Sequence, residues 1–140
     1  PFTVIERDVK IGKRCFIGPF AHLREGTVIG DDVVAGNFLE TVRSKISSKT
    51  LAKHFCYLGD SRIGSQVSIG AGTVTANFDG RKKNITVIKD KAFIGSDTVL
   101  VAPVKVGKAA KTGAGAVVLG DVGDKSTVIG VPAKPIKTKR

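Results

Sequence analysis

The side chains best suited to act as a base, a nucleophile or a metal ligand in this sequence are two histidines and two cysteines, His22, His54, Cys15 and Cys56. An imidazole titrates near neutral pH and can accept a proton during catalysis, although a lone histidine more often has a structural role. Two histidines are too few for a three-histidine metal site, and two distant cysteines form neither a disulfide framework nor a zinc ribbon. We therefore expect no metal site and two small, packed cysteines.

The strands that must position these residues are predicted from a six-residue repeat in the sequence. Aliphatic residues recur every six positions, commonly before a glycine. The anchors are Ile11, Ile17, Leu23, Ile29 and Ala35, then Ile63, Ile69 and Thr75, then Ile88, Ile94, Leu100, Val106, Thr112 and Val118. Small or aliphatic residues stand four places after each anchor, a pattern that fits neither a helix nor an alternating strand. It predicts an all-β parallel β-helix, in which short strands on three sides stack anchors eighteen residues apart.

Interruptions of the period predict irregular features. Between Thr41 and Ala52 the period slips by one residue, which indicates a local bulge or bend. After Asn77 the stretch FDGRKKNIT leaves the pattern, and its Asp-Gly favours a projecting loop. Such loops often carry binding groups, although an inserted turn without a function is the alternative. The period later decays, so we expect the β-helix domain at 1–119 and a cap with a basic arm at 120–140.

Composition limits the partners. Much of the net charge of +11 lies in the final stretch AKPIKTKR, as is typical of a solvated arm. The other basic residues are spread singly without interleaved aromatic residues, so we expect no nucleic-acid partner. The absence of a long apolar run and of a secretory pattern favours a cytoplasmic protein without membrane association. The lack of methionine fits either removal of an initiator or excision from a longer chain.

Six segments are more specific than the repeat. They are IGPFAHLREG (17–26), GNFLE (36–40), KHFCYLGD (53–60), IGAGTVTANFDG (69–80), FIGSDTVLVAPV (93–104) and the VP at 131 and 132. Together they resemble the C-terminal acetyltransferase domain of the bifunctional glucosamine-1-phosphate acetyltransferase / N-acetylglucosamine-1-phosphate uridyltransferase family, within the hexapeptide-repeat acyltransferase superfamily. The resemblance covers most of the chain.

The resemblance implies a left-handed β-helix, an exception to the usual right-handed crossover. It also implies a homotrimer with active sites between prisms and transfer of acetyl from acetyl-CoA to the amine of glucosamine-1-phosphate, a step of UDP-GlcNAc and peptidoglycan precursor synthesis. The uridyltransferase domain has no counterpart in this chain, so only acetyl transfer is expected. Two alternatives stay open: acetylation of another amino sugar or sugar nucleotide, and a catalytically silent trimeric binding module.

The family motif also implies residue roles. His54 takes the position of the general base, which suits an amine that must lose a proton as it attacks a thioester. Arg24 and Lys83 match groups that hold the sugar phosphate. The other sugar-binding positions are Glu40, Tyr57, Ser68 and Asn77. The coenzyme A positions are Ala71, Asn77, Phe78, Ser96 and Ala114. Without the resemblance, most of these would be ordinary solvated or packed residues of the repeat.

Four positions depart from the family motif. Val42 replaces a lysine that helps to bind phosphate, Ser68 an asparagine beside the sugar, and Phe78 a tyrosine. Gly130 replaces an arginine at the coenzyme A phosphates. The departures affect substrate binding more than the base, so the identity of the sugar is less specified than acetyl transfer. Possible replacements for the lost cations are Arg43, Lys45 and Lys134.

Overall fold

The chain folds into short strands that stack in three sheets. A computed structural model describes residues 1–137, and the end of the predicted basic arm, 138–140, lies outside the described residues. The described part has 21 strands and no helix. It accordingly offers no helix with the length and apolar character needed to cross a membrane.

The strands, numbered in chain order, are distributed as follows. Sheet A contains β1 (Val4–Ile5), β4 (His22–Leu23), β7 (Leu39–Val42), β10 (Cys56–Gly59), β13 (Val74–Ala76), β16 (Val99–Val101) and β19 (Val117–Val118). Sheet B contains β2 (Lys10–Ile11), β5 (Val28–Ile29), β8 (Lys45–Ile46), β11 (Ser61–Ile63), β14 (Thr86–Ile88) and β17 (Val104–Val106). Sheet C contains β3 (Phe16–Ile17), β6 (Val34–Ala35), β9 (Leu51–Ala52), β12 (Ser68–Ile69), β15 (Phe93–Ile94), β18 (Lys111–Thr112), β20 (Thr127–Ile129) and β21 (Lys134–Ile136).

From β1 to β19, successive strands belong to successive sheets, so the chain visits all three sides once per coil. Within each sheet the neighbours pair in parallel, as β4 does with β7. The predicted all-β parallel β-helix is confirmed. At the C-terminal end β20 continues sheet C in parallel, while β21 turns back antiparallel to β20. The division into a β-helix at 1–119 and a cap at 120–140 stays a prediction.

The inward side chains form the predicted ladders. Leu23, Ile94 and Val106 are among the anchors that are fully buried, whereas Ile11 in the first coil is 39% exposed because a coil covers it on one side only. The polar anchor Thr75 is also buried. Its hydroxyl accepts a hydrogen bond from the Gly59 N–H at 2.8 Å and lies 3.1 Å from the Gly59 carbonyl, so it satisfies the backbone of a tight corner.

Some coils are one residue shorter than others. His22 of β4 pairs with Glu40 of β7, a separation of 18 residues, whereas Val28 of β5 pairs with Lys45 of β8, a separation of 17. This difference confirms the slip predicted between Thr41 and Ala52. It is taken up at Arg43, which turns the corner from sheet A to sheet B with a φ of 46°.

A second slip lies one coil further on, at Asp60, whose φ is 47°. Asp60 alone separates β10 from β11. The anchor series that begins at Ile63 conceals this slip, because the preceding buried aliphatic residue, Leu58, stands five positions before Ile63 instead of six. Sequence analysis therefore detects one slip and misses the other.

The predicted loop leaves the solenoid between β13 and β14. Val74 of β13 pairs with Val99 of β16, so the loop lengthens this coil to 25 residues. Asp79 closes the loop by accepting the backbone N–H groups of Arg81 and Lys82 at 2.9 and 2.8 Å and the side-chain amide of Asn84 at 2.9 Å. These hydrogen bonds, that of the Lys82 N–H above all, lower the pKa of Asp79 to about 2. The loop is thus a closed turn at neutral pH.

Gly36→Ala is expected to destabilise the solenoid. An added Cβ at Gly36 would overlap the Lys53 carbonyl group of the next coil, and backbone cannot move aside as a flexible side chain can. We expect a loss of about 3 kcal/mol in the free energy of unfolding, measured with a denaturant. Gly120→Ala is the matched control, because a Cβ there would meet no atom within 4 Å. Equal losses in both variants would contradict the packing argument.

Candidate active site

The corners that join sheet C to sheet A carry a row of residues in line. Because β10, β13, β16 and β19 pair in register, the residues just before these strands stack in successive coils, about 4.8 Å apart. The Asp97 N–H donates to the Ala71 carbonyl at 2.7 Å, and the Gly115 N–H donates to the Ser96 carbonyl at 2.8 Å, as this alignment requires. The row, here called the corner row, consists of His54, Ala71, Ser96 and Ala114.

The corner row presents unused backbone donors. Among residues 1–137, the N–H groups of Ala71, Ser96 and Ala114 find no acceptor. The N–H groups of Gly70 and Gly72, by contrast, donate to carbonyls of neighbouring coils. The short side chains of the row leave its N–H groups accessible, so an extended ligand with carbonyl groups can accept from them.

A groove of about 390 Å³ lies beside the corner row on sheet C. It is lined by residues that include His54, Ser68, Ala71 and Ser96, and is here called the corner groove. The His54 side chain is exposed at the corner, not packed in the prism. The structure thus brings the predicted base, one predicted sugar-binding residue and two predicted coenzyme A residues to one groove. Ala114 continues the row beyond it.

The outer face of sheet A carries the other predicted sugar-binding residues, and is here called the polar face. Arg24 Nη1 donates to Glu40 Oε1 at 2.9 Å, and Arg24 Nε lies 3.9 Å from Glu6 Oε1. The Glu40 carboxylate raises the pKa of the Arg24 guanidinium. The Tyr57 hydroxyl accepts a hydrogen bond from Asn77 Nδ2 at 3.4 Å. Four of the residues assigned to the sugar therefore contact one another in two pairs, Arg24 with Glu40 and Tyr57 with Asn77.

Asp60 is the centre of the polar face, and sequence analysis does not single it out. Arg43 donates to both carboxylate oxygens, with Nε to Oδ1 at 2.7 Å and Nη2 to Oδ2 at 2.9 Å. Asn77 Nδ2 donates to Oδ2 at 2.6 Å. Arg43 is the main cause of a lowered pKa at Asp60, with smaller contributions from Asn77 and from the charge of Lys83. The three bonded residues are 17 positions apart, the length of the shortened coil, and this spacing is the signal that could have found them.

The predicted residues do not all meet in one cavity of one chain. His54 and Ser68 line the corner groove on sheet C, whereas Glu40 and Tyr57 line a shallow groove of about 280 Å³ on the polar face. The exposed Phe55 lies at the corner between them and lines the second groove. One chain therefore presents the predicted residues in two groups on different faces of the prism, and these groups are here called the half-sites.

The departures from the family motif change the polar face. Val42, at the lysine position, is buried. Of the two nearest cations considered as replacements, Arg43 is engaged by Asp60 and Lys45 lies on sheet B. Neither takes the place of the missing lysine. Phe78 is exposed at the start of the loop, where its backbone forms an isolated antiparallel β-bridge with that of Lys83.

Both cysteines pack against the interior of the prism. Burial in the core raises the pKa of the Cys56 thiol to about 12, and Cys15 packs against the same core, so both are the packed residues that were predicted. Among residues 1–137, no three histidine, cysteine, aspartate or glutamate side chains cluster to hold an ion.

Comparison with known proteins agrees with the predicted repeat. The bacterial transferase hexapeptide model matches residues 8–38, and the hexapeptide repeat of succinyl-transferase matches residues 85–119. The chain belongs to the hexapeptide-repeat family. Within that family it is 56% identical to the bifunctional protein GlmU of Ralstonia pickettii over 82% of its length, and 47% identical to GlmU of Thermotoga maritima over 96%. It spans only 25% and 29% of those relatives, in their C-terminal part.

Solved structures of hexapeptide-repeat proteins share the fold. A mutant of perosamine N-acetyltransferase from Caulobacter crescentus, in complex with CoA and GDP-perosamine, superposes with a TM-score of 0.76 at 21% identity, covering 88% of this chain and 58% of that one. WeeI from Acinetobacter baumannii superposes with a TM-score of 0.59 at 26% identity, covering 94% and 57%. Both solved structures therefore share the fold of this chain.

Asp60→Asn is expected to weaken the polar face. Asparagine is neutral and has one acceptor oxygen, so its amide NH2 would face an N–H donor at one of the two oxygen positions that Arg43 and Asn77 now use. We expect a loss of about 2 kcal/mol in the free energy of unfolding at neutral pH. Because folding lowers the pKa of Asp60, its contribution is complete above the ordinary carboxyl pKa and is lost as the pH falls through the lowered value. The difference in the free energy of unfolding between the wild type and Asp60→Asn should therefore be smaller at about pH 3 than at pH 7, as measured by denaturant unfolding.

The matched control is Asp32→Asn, which removes the bidentate ion pair with Arg14, whose side chain is 65% exposed. Water screens that pair, so we expect Asp32→Asn to lower the free energy of unfolding much less than Asp60→Asn does. A gap between wild type and Asp60→Asn that does not change with pH would contradict the assigned role of the ionised carboxylate.

Proposed function

We propose that this chain is an acetyl-CoA-dependent N-acetyltransferase that acetylates the amine of glucosamine-1-phosphate, corresponding to the acetyl-transfer part of the GlmU relatives. The observation that carries the proposal is the corner row, in which an exposed imidazole stands in line with three unused N–H donors. A structural histidine does not require such a line of donors beside it.

The donor substrate is assigned to the corner row. The pantetheine arm of acetyl-CoA is extended and carries amide carbonyls, which can accept from the N–H groups of Ser96 and Ala114. The Ala71 N–H, nearest to His54, is the candidate donor to the thioester oxygen. A positioned donor of this kind is worth about 3 kcal/mol when negative charge develops on the oxygen in the transition state.

The chemistry requires one proton to move. The amine nitrogen forms a bond to the acetyl carbon, and the nitrogen must lose a proton before a neutral amide results. His54 Nε2 or Nδ1 accepts that proton and can return it to the sulfur as the C–S bond breaks and coenzyme A leaves as the thiol. A positioned general base of this type typically contributes about 10² to 10⁴ in rate.

The acceptor is assigned to the polar face. Arg24, held by Glu40, and Lys83, near the Asp60 corner, supply positive charge for the sugar phosphate. Tyr57 and Asn77 supply polar groups for the sugar, and Ser68 contacts it from the corner groove. The missing lysine at Val42 and the change at Ser68 support a looser hold on the sugar, which keeps another amino sugar or sugar nucleotide as the second candidate.

A homotrimer is inferred because the half-sites are on different faces. Closed rings form when one face of a protomer meets another face of its neighbour. Placing sheet C of one protomer against sheet A of the next would bring the corner groove to the polar face, so the base and the phosphate-binding cations would come from different chains.

His54→Ala is expected to lower the rate of acetyl transfer by about 10² or more, because the base is removed while the N–H donors stay. The measurement is thiol release from acetyl-CoA in the presence of glucosamine-1-phosphate. Added imidazole should restore part of the lost rate. Equal thiol release by the wild type and the variant would instead support a silent binding module, and a wild type that prefers unphosphorylated glucosamine would overturn the roles of Arg24 and Lys83.

Subunit mixing tests the shared site. His54→Ala and Asn77→Ala would damage opposite half-sites, so each variant alone is expected to be nearly inactive. In randomly mixed trimers, about one quarter of the sites would combine an intact His54 from one chain with an intact Asn77 from its neighbour. We therefore expect thiol release to rise towards that fraction of the wild-type rate after mixing. No recovery in trimers shown to be mixed would mean that both residues serve a site within one chain.

A further inference from the structure

Sheet B, which neither half-site uses, presents a row rich in positive charge. Strand pairing places one outward residue of each strand beside that of the next. In order along the solenoid, these residues are Lys10, Val28, Lys45, Arg62, Val87 and Lys105. The row contains four cations and no carboxylate, and Lys45 stands directly beside Arg62.

These cations are not compensated as others in the chain are. Arg14, Arg24 and Arg43 each bond to a carboxylate on the adjacent coil. Arg62, by contrast, donates to the carbonyls of Arg43 and Ser61 at 3.2 and 3.1 Å. Like charges side by side on neighbouring strands destabilise a sheet. Stability of the fold therefore gives no reason for pairing Lys45 with Arg62, whereas an anion bound between them would.

A groove of about 380 Å³ lies over these two residues and extends to the corner between sheets B and C. Lys89 and Lys108 line its other side. Among residues 1–137, no side-chain nitrogen of its four cations lies within 4 Å of a carboxylate oxygen. We call it the sheet B groove.

Two carboxylates also line the sheet B groove, but both are engaged with backbone. Asp90 Oδ1 accepts the Ser65 N–H at 2.8 Å, and Asp124 Oδ1 accepts the Lys108 N–H at 2.8 Å. Four cations against two carboxylates leave a surplus of positive charge, and the cations form two pairs, Lys45 with Arg62 and Lys89 with Lys108, so that each pair can face one phosphate of a diphosphate. The half-buried Val87 gives the groove one apolar contact for an organic group.

We propose that the sheet B groove is a second binding site, for a small organic diphosphate of the nucleoside diphosphate class. Its volume lies within the range of small-molecule sites. An extended nucleic acid is the weaker candidate, because a groove of about 380 Å³ holds one small molecule and not a run of nucleotides. The site is separate from both half-sites, and it does not depend on acetyl transfer.

The test is calorimetric titration of the whole chain with cytidine diphosphate, inorganic pyrophosphate and cytidine. We expect cytidine diphosphate to bind best, pyrophosphate more weakly and cytidine not measurably. Arg62→Gln should weaken cytidine diphosphate binding by about tenfold or more. Lys10→Gln is the matched control, since it removes a cation from the same face outside the groove and should change the affinity by less than about twofold.

Arg24→Gln separates this site from the sugar-phosphate position on the polar face. It should leave cytidine diphosphate binding unchanged, while Arg62→Gln should leave thiol release from acetyl-CoA unchanged. Binding that survives Arg62→Gln but is lost in Arg24→Gln, pyrophosphate binding equal to that of the nucleotide, or a preference for a single-stranded oligonucleotide would each overturn the proposal.

Discussion

The structure depends on coils of matching length. A strand of two residues makes too few hydrogen bonds to persist alone, so each coil is held by the coils above and below it. The inward anchors stack only if every coil returns the chain to the same place. Where a coil is short, its shortened corner is turned by Arg43 or Asp60, each with a positive φ. At the Asp60 corner, the buried hydroxyl of Thr75 accepts the Gly59 N–H. Where a coil is long, the excess is expelled as the closed loop around Asp79.

The same constraint explains what could be predicted from sequence. Anchors such as Leu23 and Ile94 repeat at a fixed interval, so the ladders, the parallel sheets and the position of the loop follow from the linear pattern. The slip at Asp60 does not, because buried Leu58 falls outside the six-residue series and hides the change of register. The contacts of Asp60 are equally hidden, since its partners lie one shortened coil away in either direction.

The candidate site, too, could be predicted only in part from the sequence. The motif around His54 predicts a base near small residues, and the structure places that histidine in the same row as Ala71, Ser96 and Ala114. The unused N–H groups of this row could not be predicted, because whether a backbone N–H is used depends on which carbonyl the next coil presents. The separation of Ser68 from Glu40 and Tyr57 is likewise a property of the prism, since residues close in the motif lie on different faces.

The loop after β13 is inserted at a single corner, and the strands on either side of it resume their pairing at once. Its length and sequence can therefore change without disturbing the ladders or the corner between sheets C and A, where the corner row presents its N–H groups. Under the function proposed above, a change in this one segment would alter the hold on the acceptor and leave the donor side of the site as it is.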